Sequence, residues 1–214
     1  QKIIKKFDAC WVPDVKDKPN LTGKLGHLKK SKLKIVYLGP LSRFEKKQLA
    51  ITNDLMVLLS GPEPQRTMLE EKLLSELQQF EGNILFVKGK IEDEQVVEEI
   101  QTPRGKIRHY NFMKSAELEN AINQSDRVLC RSGYTTVMDL AKLEKRAFFI
   151  PTPGQYEQEY LAKRMQKQGL VPFSSQEDFT VKDLSRIEEF SGLAHFESTT
   201  DYSSLFEVFS ATDT

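Results

Sequence analysis

Cysteine is scarce in this chain. Cys10 and Cys130 are the only two in 214 residues, and they lie far apart. That excludes a disulfide framework and fits a reducing compartment, so a cytoplasmic location is expected. Long apolar runs are missing as well, and none approaches the roughly 18 residues of a membrane-spanning helix. The opening residues carry no signal-peptide pattern, and Gln1 in place of Met is read as the start of a piece of a longer protein. Charge of one sign is also lacking. Basic and acidic side chains number 31 each and the formal net charge is zero, so nothing global points to nucleic acid. His27, His109 and His195 are scattered without metal-ligand spacing. There is no internal repeat and no low-complexity segment. What remains is a balanced chain, long enough for one large or two small domains with a substantial core.

Short apolar runs alternate with helical patterns. Strands are predicted at 34–38, 54–60, 83–88, 106–112, 127–130 and 146–150, all rich in Val, Ile, Leu and Phe. Helices are predicted at 65–80, 115–125, 135–143 and 155–169. Strands alternating with helices imply right-handed βαβ units, and so an α/β fold with a Rossmann-like, open, mostly parallel sheet flanked by helices. Before this lie a helix tail and a short strand, Ala9 to Val12. Residues 14–32, with Pro19, Gly23, Gly26 and many lysines, then read as a linker. The run 91–99, with Glu92, Asp93 and Glu94 in a row, reads as a solvated loop and helix face. The division expected is 1–32 as the remnant of a preceding domain and linker, 33–195 as the main domain and 196–214 as a C-terminal tail.

Two turns stand out. In the first, the apolar run ending at Cys130 stops at Arg131-Ser132-Gly133, and a helix starts within three residues. Such a turn lets a ligand approach the backbone and offers unpaired N–H groups to an anion. Asp139 lies one turn into that helix, where a carboxylate can accept both hydroxyls of a ribose. The second turn, Ser60-Gly61-Pro62-Glu63-Pro64, also follows a strand and precedes a helix. It has one Gly and two Pro, so it lacks a phosphate-cradling Gly fingerprint. Its bland reading is a stiff helix start.

The block Arg-Ser-Gly-x-x-Thr-Val-x-Asp-Leu, then Phe-Ile-Pro, then Gln-Glu, resembles the donor-sugar half of the GT-B glycosyltransferases. It is most similar to family 28-like C-terminal domains, such as that of the lipid-linked N-acetylglucosaminyltransferases of peptidoglycan synthesis. In that family the block reads Arg-Ser-Gly-Ala-x-Thr-Val-x-Glu, followed by a strand to Pro and a Gln-Gln pair before a helix. The likeness covers residues 33–172. Here the acid is Asp139, one methylene shorter, the pair is Gln158-Glu159, and the Asn that often follows is Ala162. These departures bear on the sugar more than on the nucleotide.

The resemblance implies the C-terminal half of a GT-B fold that binds a UDP-hexose or UDP-N-acetylhexosamine for inverting, metal-independent transfer. It implies donor contacts from Ser60, Gly61, Arg131, Ser132, Gly133, Tyr134, Thr135, Thr136 and Asp139, base contacts from Phe112 and Met113, and sugar contacts from Gln158 and Glu159. No catalytic residue is expected in this chain, because the general base of such enzymes comes from the N-terminal domain. No cofactor and no metal are expected; no Asp-x-Asp motif with a metal role occurs. The expected partners are a nucleotide sugar and a lipid or saccharide acceptor, with peripheral contact of the full-length protein at the inner membrane face. Two alternatives stay open: a GT-B-fold UDP-sugar epimerase, and a nucleotide-binding module without catalysis.

Overall fold

The computed structural model describes residues 7, 9–27, 34–90, 92–194 and 203–206. The helix tail expected before Ala9, lysines 29, 30 and 32, His195 and most of the C-terminal tail lie outside these residues. Ser203–Leu205 of that tail form a single 3-10 turn.

A six-stranded sheet organises the chain. Its strands are β3 (Asn53–Leu58), β4 (Gly82–Val87), β5 (Val97–Thr102), β6 (Gly105–Tyr110), β7 (Ser125–Cys130) and β8 (Arg146–Phe149), in the order β5-β6-β4-β3-β7-β8. All neighbours are parallel except β5 and β6. The chain builds outward from β3 through β4 to β6, then returns to place β7 and β8 on the other side of β3. The order therefore reverses between β3 and β7, and open α/β sheets bind ligands outside the carboxyl ends of the strands at such a point.

The central strands β3, β4, β7 and β8 carry continuous apolar runs because both faces of the sheet are covered there. Side chains alternate between the faces. Leu55, Val57, Ile84, Phe86, Ile107 and Leu129 share one face with Leu69, Leu73 and Leu77 of helix α1 (Gln65–Glu76) and the turn after it. Met56, Leu85, Val87, Val128 and Cys130 share the other face with helices α2 (Ser115–Asn123), α3 (Tyr134–Lys142) and α4 (Tyr156–Lys167). A nine-residue 3-10 segment, Val181–Glu189, closes the first layer. Thr180 and Asp183 cap it reciprocally, and Leu184 and Ile187 are buried. No helix among the described residues is long and apolar enough to cross a membrane.

Three expectations are corrected. The run at 34–38 is not the first strand of the main sheet: β2 (Lys34–Tyr37) pairs in parallel with β1 (Ala9–Val12) in a separate two-stranded sheet. An apolar run signals a strand but not its partner, so the boundary drawn at residue 33 cuts through this small sheet. The acidic stretch is not all loop either. Val97–Thr102 is an exposed edge strand joined to β6 by the two-residue turn Pro103-Arg104. Its Glu98 and Glu99 place charge on the open edge, where it discourages pairing with another chain.

Nor are residues 14–27 a loose linker. The buried Asp14 carboxylate accepts from the backbone N–H groups of Val15, Leu21 and Thr22 and from the Thr22 hydroxyl. The loop so formed docks on α4. Arg164 donates to the carbonyl of Leu21 at 3.0 Å and to that of Asn20 at 2.8 Å. Leu21 is fully buried in the same apolar cluster as α3 and α4. One polar side chain acting on three backbone donors leaves no periodic signal in the sequence.

His109 on β6 is 3 % exposed, and neither ring nitrogen has a hydrogen-bond partner. Burial and the charge of Lys88 push its pKa down from the ordinary 6.5, while Glu98 and Glu70 pull the other way. A depressed pKa means that the fold prefers the neutral ring. This contribution is therefore complete above the unfolded pKa and is lost as pH falls through that value toward the folded one. Thermal melts from about pH 7.5 to about pH 5.5 should show a falling Tm, with a shallower slope in His109→Gln. An identical slope in the variant would show that His109 is not the group responsible.

Candidate functional site

The carboxyl end of β3 and the start of α3 form the walls of a cavity of about 190 Å³ at the point where the strand order reverses. Leu58 comes from the end of β3, Leu59 and Ser60 from the turn after it, Thr135, Thr136 and Asp139 from α3, and Leu118 and Ile122 from α2. Arg43 and Phe44 close it from the segment between β2 and β3.

Local geometry explains why these elements converge here. Gly61 has a φ of 108°, a backbone conformation that glycine adopts without strain. Gly133 has an ordinary φ of −68° at the N-cap of α3. A Cβ built there would meet only the Thr136 hydroxyl, at 3.7 Å. Neither conformation nor crowding within the chain requires glycine at 133. The N-cap Gly133 has no side chain to cap α3 and the first turn holds no acid. The Tyr134 N–H donates to Glu157 Oε1 at 3.4 Å, while Thr135 and Thr136, the next residues of the turn, line the cavity at the positive dipole end.

Asp139 is half-buried. Its Oδ1 accepts a hydrogen bond from the Ser42 hydroxyl at 2.6 Å. Burial raises its pKa, against the Ser42 hydrogen bond and the charge of Arg43, which both lower it. The cavity therefore pairs an acceptor carboxylate with a nearby guanidinium and a helix start, beside an apolar wall from α2.

The predicted residues divide into two groups. Ser60, Thr135, Thr136 and Asp139 line one cavity, with Gly61 and Gly133 in the turns that enter it. Arg131 does not line this cavity. It is 1 % exposed, and its guanidinium donates to the carbonyls of Ile150, Pro151 and Gln65 and to Oε1 of Gln176. It joins the ends of β7 and β8 to the start of α1. A charge at the end of an apolar strand does not reveal which way it points. Burial pushes its pKa down to about 10.

Ser132 and Gln158 also turn inward. The Ser132 hydroxyl donates to the Gln158 carbonyl at 2.8 Å. Gln158 Oε1 accepts from the Thr152 N–H at 2.8 Å, and its Nε2 donates to Gln155. These bonds fix the β8–α4 turn instead of offering polar atoms to a ligand. Tyr134 reaches toward the small sheet, donating to the Pro13 carbonyl at 3.3 Å, and burial pushes its phenol up to about 12. Phe112 and Met113 are half-buried at the β6–α2 junction, with Met113 against the core, and neither lines the cavity. Glu159 accepts from the Gly154 N–H at 3.0 Å and lines a separate cavity of about 310 Å³ with Pro151, Pro153, Lys163, Phe173 and Gln176.

Ser42, Arg43 and Phe44 were not anticipated. Their sequence signal is Gly39-Pro40 directly after a strand, the same strand-to-turn signature that marks Ser60 and Ser132.

An open, mostly parallel sheet with its cavity at the reversal point defines a Rossmann-like unit, here the C-terminal half of a GT-B glycosyltransferase fold. Residues 64–189, more than half of the chain, match the glycosyltransferase family 28 C-terminal domain, and the chain belongs to that family. It is 25 % identical over 179 residues to the UDP-N-acetylglucosamine–N-acetylmuramyl-(pentapeptide) pyrophosphoryl-undecaprenol N-acetylglucosamine transferase of Haemophilus ducreyi, covering 76 % of this chain and 49 % of that protein. Among solved structures it resembles MurG of Acinetobacter baumannii (TM-score 0.52, 19 % identity, 74 % of this chain and 48 % of that one). It also resembles the glycotransferase of kitacinnamycin (TM-score 0.54, 13 % identity, 80 % and 45 %). The chain spans about half the length of these relatives.

Proposed function

We propose that this domain binds the donor of a glycosyltransferase, a UDP-hexose or UDP-N-acetylhexosamine. The observation that carries the reading is the cavity at the reversal point, where Asp139 stands one turn inside the helix that follows Gly133. The diphosphate lies at the N-terminus of α3 beside Thr135 and Thr136, where the first-turn N–H groups and the helix dipole favour an anion, and it displaces the weak 3.4 Å contact of Glu157 with the Tyr134 N–H. The ribose hydroxyls meet Asp139 and the base lies along Leu118 and Ile122. The sugar extends toward the β8–α4 turn and Glu159.

Transfer is inverting and needs no metal. As the bond to the sugar breaks, negative charge grows on the departing diphosphate, and Arg43 with the α3 N-terminus stabilises it. The base that deprotonates the acceptor hydroxyl comes from the part of the protein that precedes this domain, so this chain alone does not turn over. The acceptor is a lipid or a saccharide, met in the cytoplasm at the inner membrane face.

Titration with UDP tests the reading. Half of a two-domain cleft supplies half of the contacts, so millimolar to high-micromolar binding is expected, about 4 to 6 kcal/mol. NMR shifts should fall on residues 131–139. No shift there at millimolar UDP would end the assignment. Gly133→Ala should melt as the parent does, because the new methyl has room in the free protein. It should nevertheless weaken UDP binding about tenfold by blocking the diphosphate's approach to the backbone.

A further inference from the structure

We infer that Ser42 is a positioning residue for the nucleotide, fixing the Asp139 carboxylate through its hydroxyl so that the remaining oxygen faces the ribose. The inference rests on the donor-binding reading above. Its basis is a short relay. Phe44 is 2 % exposed and anchored in the core beside α2. Its backbone N–H donates to the Ser42 Oγ at 3.0 Å. With that lone pair engaged, the hydroxyl proton is directed to Asp139 Oδ1, 2.6 Å away. Among the described residues, Ser42 is the one hydrogen-bond partner of this carboxylate.

Ser42 does not belong to a wandering loop, although its segment has no regular secondary structure. The Glu45 N–H donates to Glu119 at 2.7 Å, and the Lys47 N–H donates to Asn123 at 2.9 Å, both on α2. The segment is thus tied on both sides of Phe44, to Asp139 on α3 through Ser42 and to α2 through Glu45 and Lys47.

Geometry decides between positioning and obstruction. An ionised carboxylate has about four lone-pair sites. Ser42 takes one, on Oδ1, which leaves Oδ2 and the second site of Oδ1 for a vicinal diol. The hydroxyl can stay in place when the ribose binds, and it presets the carboxylate's rotation before the ligand arrives. Preorganisation of this kind improves binding without adding a contact to the ligand. Ser42 also favours the ionised form, which burial disfavours. The other ionisable group that acts on Asp139 is Arg43, which favours the same form.

The test uses the chain as it stands, with UDP and 2′-deoxy-UDP as probes. Ser42→Ala should weaken UDP binding about three- to tenfold at neutral pH. It should also shrink the preference for UDP over the deoxy form and move the acid limb of the binding profile to higher pH. Ser42→Thr keeps the hydroxyl and should restore all three. In an Asp139→Ala background, Ser42→Ala should have no further effect on binding, because there is no carboxylate left to position.

Unchanged affinity and pH profile in Ser42→Ala, or effects that simply add, would overturn the inference. Tighter UDP binding in Ser42→Ala would also overturn it, by showing that the hydroxyl competes with the ribose. The carboxyl titration of Asp139, followed by carbon-13 NMR, separates the two ideas. Its pKa should rise in Ser42→Ala whether or not nucleotide is present. If that pKa rises but the parent binds no UDP, the donor-binding reading fails and the role toward ribose falls with it. If UDP binds but the pKa does not move, Ser42 alone is misassigned.

Discussion

Arg131→Ala is expected to destabilise the domain by about 3 to 5 kcal/mol. The guanidinium is buried and bonded to four acceptors: three backbone carbonyls and the Gln176 side-chain oxygen. Removing it leaves those oxygens without their donor and opens a hole where β7, β8 and the start of α1 meet. An unsatisfied buried acceptor costs about 1 to 3 kcal/mol, and part of that is recovered when water enters. For a protein of this size the loss should lower Tm by about 10 °C. Arg131→Lys should recover little, because an ammonium cannot span acceptors arranged around a planar fork. A scanning calorimetry trace for Arg131→Ala within about 2 °C of the parent would refute the structural role. If that variant also lost UDP binding, Arg131 would return as a ligand.

The second large effect is expected at Asp139, and on binding instead of stability. Asp139→Ala should weaken UDP by about tenfold or more, since a hydrogen bond to a charged acceptor contributes roughly 1.5 to 3 kcal/mol. Asp139→Asn should lose part of this, because the amide keeps one acceptor oxygen. Deoxyribose should matter less in Asp139→Ala than in the parent. Stability should not fall: burial already raises this carboxyl's pKa, so folding at neutral pH works against its ionisation. The sign follows directly. The folded state holds the proton more tightly than the unfolded one, so this group favours folding below the unfolded pKa, and that gain is lost as pH rises through the folded value. Binding has the opposite dependence, since the ribose needs the ionised form. UDP affinity should fall on acidification and Asp139→Ala should flatten that fall. Calorimetric titrations of both proteins across the acid range check it, and unchanged UDP affinity in Asp139→Ala would make Asp139 an ordinary helix charge.

The main sheet was legible because parallel strands buried on both faces produce continuous apolar runs, as β3, β4, β7 and β8 do in Leu55–Leu58, Ile84–Val87, Val128–Cys130 and Ala147–Phe149, whereas β6 shows only Ile107 and Tyr110 among polar and charged residues. The site was legible at its turns for a related reason: a strand that stops at small residues before a helix marks the ligand-facing edge of such a sheet. That logic picked out Ser60 and Asp139, which line one cavity, and Gly133 in the turn beside it. It failed where direction mattered. Arg131, Ser132 and Gln158 sit at the right addresses, but their polar atoms are consumed by carbonyls and amides of neighbouring turns. It also failed where contacts are non-local. Ser42 reaches Asp139 across 97 positions of sequence. Asp14 organises its loop through backbone donors, and a polar stretch with Pro and Gly looks the same whether it is organised or loose.

That loop has a practical meaning for anyone dividing this protein. A donor-binding fragment begun at Lys34 would keep every strand of the main sheet and still be an incomplete solid. It would lose Leu21 from the core, take the Asn20 and Leu21 acceptors from Arg164, and leave the Tyr134 hydroxyl without the Pro13 carbonyl. Strand β2 would lose its one partner. The contacts of β1, the Asp14 loop and β2 therefore tie these residues to the same solid as the main sheet, well upstream of the turns that line the cavity.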